Sequence, residues 1–114
     1  MIKTFASKLV ERLTENKVRN GYNYFDHYEI DLVKGRKYTK LVRVEVSEKS
    51  GERSGNCVVC FVDNQTGDVF KPASWSAPAK HARGNVNSPT NGMEAIDAEG
   101  FVYYLKYHFD DAGN

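Results

Sequence analysis

The sequence is poor in the residues that usually announce an activity. It has one Trp, two Cys, three Pro and three His in 114 residues, and its formal charge is nearly balanced at +1. The charge balance removes any whole-molecule case for a polyanion partner, so an electrostatic argument must rest on where the charges lie. No apolar run reaches the roughly 18 residues of a membrane span. The first ten residues lack the apolar core and small-residue cleavage site of a secretory signal, so a cytoplasmic setting is the expectation. The length suits one domain covering residues 1–114, and 40% hydrophobic with 12% aromatic content is enough for one core.

The two cysteines form Cys57-Val-Val-Cys60, a spacing shared with redox and metal motifs. They lie in a run of strand formers, where residues three apart point to opposite faces, and no helix start follows to lower a thiol pKa. Both are read as small buried apolar side chains. His27, His81 and His108 fall on separate segments without metal-ligand spacing. His81 has Ser74, Ser76 and Lys80 nearby, but no orienting acid or oxyanion hole accompanies them. No Gly-rich phosphate loop follows a strand. The expectation is a non-enzymatic protein with no catalytic residues, no metal ligands and no cofactor.

Along the chain, Ile2, Phe5, Ala6, Leu9, Val10 and Leu13 recur at helical spacing, which predicts an amphipathic helix ending near Asn20 and Gly21. From Tyr28 the period changes to two. Tyr28, Ile30 and Leu32, then Val42, Val44 and Val46, predict two half-buried strands joined by a short hairpin at Lys34-Gly-Arg36. Polar residues 48–55 are expected to lead to a central strand over 58–62, apolar on both faces. Asp63-Asn-Gln-Thr-Gly67 predicts a turn, and residues 68–71 a fourth strand stopped by Pro72. Residues 94–109 fit either a fifth strand or a short helix starting near Asp97, with the helix favoured. The fold class is therefore α+β, an N-terminal helix packed on an antiparallel sheet of about four strands. This helix-then-meander plan resembles cystatin-like folds, and residues 61–70 resemble the final hairpin of PepSY-type domains.

Residues 67–87, Gly-Asp-Val-Phe-Lys-Pro-Ala-Ser-Trp-Ser-Ala-Pro-Ala-Lys-His-Ala-Arg-Gly-Asn-Val-Asn, hold the only Trp, two of the three Pro and a cationic run without an acid after Asp68. Lacking apolar periodicity, the segment is expected to be an ordered surface loop that Pro72 and Pro78 stiffen. It is similar to a segment of small uncharacterised bacteriophage and environmental-virus proteins, in which a Thr-Gly turn precedes Lys-Pro-Ala-Ser-Trp, Pro-Ala-Lys and Arg-Gly-Asn. That resemblance implies a phage-type origin and singles out Lys71, Pro72, Trp75, Pro78, Lys80, Arg83 and Asn85, without assigning them chemistry.

Trp75 admits two readings. It either anchors the loop against the sheet, or stands between Lys71 and Lys80 as a surface on which a base stacks. A second basic stretch, with Lys34, Arg36, Lys37, Lys40 and Arg43, contains no acid between Asp31 and Glu45. It is either a guarded sheet edge or part of a binding face. If hairpin and loop share a face, Lys34, Arg36, Lys37, Lys40, Lys71, Trp75, Lys80 and Arg83 form a nucleic-acid-binding surface, with single-stranded nucleic acid as the expected partner. The alternative is a protein-interaction module or homodimer using Tyr22, Tyr24, Phe25 and Tyr104, with a host or phage protein as partner. Neither reading involves a membrane, and oligomeric state is open.

Overall fold

Helical spacing brings Phe5, Leu9 and Leu13 onto one stripe, and each is 0% exposed. They belong to α1 (Ile2–Asn20). The helix ends where Gly21 adopts φ 67°; its N–H bonds to the Val18 carbonyl while that of Tyr22 bonds to the Lys17 carbonyl. This is the reciprocal closure for which a left-handed glycine is suited. The computed structural model describes residues 1–102, and in it α1 is followed by five strands. These are β1 (His27–Lys34), β2 (Tyr38–Ser47), β3 (Glu52–Asp63), β4 (Asp68–Pro72) and β5 (Pro78–Asn85).

The strands form one antiparallel meander in the order β1-β2-β3-β4-β5. Side chains alternate across each strand, so one face collects Leu41, Cys60, Val62 and Val69 against Phe5, Leu9 and Leu13. Burying each such aliphatic or aromatic side chain contributes about 1.5–3 kcal/mol. On the other face no described helix packs, and Val42, Val44 and Val46 form a small cluster of their own. The α+β architecture agrees with the sequence reading, with one strand more than about four. No described helix is long and apolar enough to cross a membrane.

Three local expectations within the sheet change. Residues 67–87 are not a loop: β4 and β5 pair through Asp68 with Asn85, Phe70 with Ala82 and Pro72 with Pro78, leaving only residues 73–77 as the connection. β5 shows no apolar alternation because it is an edge strand, and its pairing with β4 is interrupted by two register shifts. Residues 52–55, expected in a connection, are strand. The third change concerns the cysteines. Leu41 pairs with Cys60 and Arg43 with Cys57, while Val42 between them pairs with Val58, so an irregularity at Val59 brings both Cys to the same face. They remain free thiols, and burial pushes the Cys60 thiol up.

Past β5, Glu94 ties the chain back by accepting from the Asn85 N–H at 2.8 Å, the Ser88 hydroxyl at 2.7 Å and the Thr90 hydroxyl. Burial acts to raise its pKa, but these hydrogen bonds outweigh it and hold the carboxyl at about 2. After the 3-10 turn Met93–Ala95, the favoured helix near Asp97 does not begin. Asp97 instead closes a turn, its carboxylate accepting from the N–H groups of Glu99 and Phe101, and Ile96 bridges to Val102 in antiparallel fashion. The rest of that expected element, over residues 103–109, lies outside the described residues.

Candidate nucleic-acid interface

The face opposite α1 gathers its functional groups by strand register. Lys40 pairs with Phe61, and Phe61 with Phe70, so these three lie in one row across β2, β3 and β4. Lys40 sits between Thr39 and Leu41, both buried, and therefore points away from the helix. Tyr38, two residues earlier on the same face, meets the Phe61 ring edge-on at 6.2 Å and the Phe70 ring at 5.8 Å. Phe61 is buried while Tyr38 and Phe70 are half-buried, so a continuous aromatic floor reaches the surface here.

The β4–β5 connection folds over the end of this row. The N–H groups of Ala73 and Ser74 both bond to the Ala77 carbonyl, closing a tight tip. At that tip Trp75 is 54% exposed, which rejects its reading as a buried anchor. Its ring lies over the Lys40 ammonium, with Nζ 4.1 Å from the centroid, and the same Nζ donates to the Trp75 carbonyl at 3.2 Å. A cation over an exposed indole contributes about 0.5–1 kcal/mol. Lys40 thus reaches past β3 to hold the tip of the next hairpin.

Arg36 and Lys37 flank this arrangement in the β1–β2 connection. That connection is held by Asn64, which the sequence marks only as part of a turn. Asn64 donates its side-chain amide to the Gly35 carbonyl at 3.0 Å and its backbone N–H to the Lys37 carbonyl at 2.8 Å. Its side-chain oxygen accepts from the Thr39 hydroxyl at 2.6 Å. An Asn inside a turn carries no signal of such distant partners. Between the two connections lies a groove of about 280 Å³ lined by Val33, Gly35, Arg36, Lys37, Tyr38, Lys40, Phe61 and Ser76. Lys37 also lies 5.4 Å from the Tyr38 ring. Among the described residues Arg36, Lys37 and Lys40 make no ion pair with a carboxylate.

The eight expected residues therefore separate. Arg36, Lys37, Lys40 and Trp75 come together, and Lys80 is exposed on edge strand β5. Lys34 instead lines a cavity of about 400 Å³ on the helix side with Ile2, Thr39, Val62 and Val86. Lys71, next to Phe70 on the strand, borders a different hollow with Cys57, Asp97 and Phe101. Arg83 is only 8% exposed, at the irregularity between the Val69 and Phe70 pairings. Alternation explains the first two departures, because a run of basic residues on a strand must divide between faces. Arg43 divides off in the same way and covers the rings of Tyr28 and Phe101. Of the aromatics expected at an interface, Tyr22 and Tyr24 are exposed, Phe25 is buried against Tyr28, and Tyr104 lies outside the described residues.

Among the described residues no group of His, Cys, Asp and Glu is placed to hold a metal. The chain belongs to a family of unknown function, DUF7717, whose model matches residues 1–105. No curated protein and no solved structure matches it.

Proposed function

We propose that this chain is a small non-catalytic accessory protein, of the phage type its residues 67–87 resemble, that binds nucleic acid on the face of its sheet opposite α1. The observation that carries this reading is the juxtaposition of exposed Trp75 with Lys40, Lys37 and Arg36 over an aromatic floor. Cations outside any close ion pair favour a phosphate backbone, and an exposed ring favours a base. The helix followed by an uninterrupted meander supports the cystatin-like plan as the scaffold. The test is fluorescence anisotropy of a labelled mixed-sequence oligonucleotide titrated with protein at increasing salt. The logarithm of the affinity is expected to fall linearly with log salt concentration. Absence of binding at low salt would end this reading.

A second reading, a protein-interaction module or homodimer, is favoured by Tyr22 and Tyr24, exposed side by side with ring centroids 6.3 Å apart. Light scattering across a concentration series tests its homodimer form, which predicts a mass twice that of the chain.

A further inference from the structure

The Trp75–Lys40 contact divides labour within the proposed interface, a division that rests on the nucleic-acid reading. An indole has two faces. Lys40 occupies one at 4.1 Å, and the residue as a whole is 54% exposed, which leaves ring surface away from Lys40 for a ligand. The same ammonium is tied to the Trp75 carbonyl at 3.2 Å, so reaching for a phosphate would release both ring and tip. Arg36 and Lys37 have no such commitment to Trp75, and Asn64 fixes the backbone that carries them.

We infer that the ligand is a single strand whose unpaired base stacks on the Trp75 ring surface away from Lys40, with the adjoining phosphates held by Arg36 and Lys37. Lys40 is a positioning residue that holds the ring and touches no phosphate. Bases in a duplex are already stacked on their neighbours, so a duplex offers nothing to this ring, whereas any single-stranded base does. Two phosphate contacts on a single strand give a slope of log affinity against log salt of about −1.4, and losing one reduces its size by about 0.7.

The experiment compares four variants, K37A, K40M, K40R and W75A, on a single strand, the matching duplex and a strand carrying abasic sites. Thermal unfolding of each variant verifies that it is folded. K37A is expected to flatten the salt slope by about 0.7. K40M is expected to weaken binding while leaving the slope unchanged, and K40R, whose guanidinium also stacks on indole, to restore the affinity. W75A is expected to cost about 10-fold to 100-fold on the single strand and nothing on the abasic one. Because Trp75 is the only Trp, quenching of intrinsic fluorescence on adding the intact strand reports this site alone.

A K40M slope as flat as that of K37A would overturn the positioning role. Equal, salt-dependent binding of single strand, duplex and abasic strand, with W75A unaffected, would overturn the stacking mode while leaving nucleic-acid binding intact. Failure of the unmodified protein to bind any of the three at low salt removes both.

Discussion

On the face opposite α1, the end built from His27, Glu29, Asp31 and Arg53 differs from the end built from Arg36, Lys37, Lys40 and Trp75 in how its charges are satisfied. At the first end, Arg53 bonds both Asp31 carboxylate oxygens, at 2.7 and 2.8 Å, and also reaches Glu29. His27 bridges Glu29 at 3.0 Å and Glu48 at 2.9 Å. These groups sit at the pairing positions of Val42, Val44 and Val46, roofing that apolar cluster with a closed set of ion pairs. At the second end the cations meet an aromatic ring, a carbonyl or solvent, and Lys37 only attracts the Asp63 carboxylate at longer range without pairing with it. One end spends its charge on the fold; the other leaves it available. The same sheet, with the same alternation, supports both because acids occupy β1 at positions 29 and 31 and none follows until Glu45.

The largest effect expected from that difference is on binding. Replacing Arg36 and Lys37 together by Glu should weaken a single-stranded oligonucleotide on the order of 100-fold at low salt, because two attractive charges become repulsive. The matching reversal at the first end, Arg53→Glu, should lower the melting temperature and leave affinity at constant salt nearly unchanged. Equal losses of affinity in the two variants would erase the distinction between the ends.

Stability should separate the ends in the opposite sense. Val44 is 1% exposed beneath the ion pairs, and Val44→Ala removes two buried carbons and leaves a small cavity, costing about 2 kcal/mol. Trp75→Ala removes a much larger side chain from a position 54% exposed, and should cost only about 1 kcal/mol, most of it the Lys40 contact. Denaturant unfolding of the two variants checks the order. A larger loss for Trp75→Ala would mean that the tip is part of the core.

The legibility of the fold obeys the same physics. α1, its Gly21 cap, β1, β2 and the turn before Gly67 could be read because each buries one stripe or needs one special backbone conformation. Gly67 needs both, with φ 80° and a would-be Cβ only 2.8 Å from the Asn87 side chain. β5 could not be read because an edge strand of Lys80, His81, Ala82 and Arg83 buries almost nothing in alternation. The irregularity at Val59 was hidden for another reason: a bulge depends on the partner strand, and Cys57-Val-Val-Cys60 looks regular by itself. At the site, the basic hairpin and Trp75 stood out in the sequence. Their meeting did not, because it depends on the β4–β5 tip folding back toward Lys40 across β3, and Asn64 gave no hint of its clamp.

The smallest expected effect belongs to His27, and it tests whether the first end is closed by charge. Both ring nitrogens lie within hydrogen-bond distance of carboxylates, Nε2 of Glu29 and Nδ1 of Glu48, and carboxylates only accept. The geometry therefore needs an imidazolium, and the Glu29 hydrogen bond first, with Glu48 adding to it, raises the His27 pKa above its ordinary value. Arg53, which shares Glu29, lies beside it as a competing cation. A group whose pKa is higher folded than unfolded contributes its stability fully below the unfolded value, about 6.5, and loses it as pH rises through the folded value. The protein should therefore become slightly less stable as pH increases from 6.5 through the raised His27 value, and His27→Gln should abolish that slope. Because the pair is largely solvated, the change should be smaller than that of Val44→Ala. Urea midpoints measured across this pH interval give the answer. A wild-type midpoint that rises with pH would show that the Glu29 and Glu48 contacts do not favour the protonated ring.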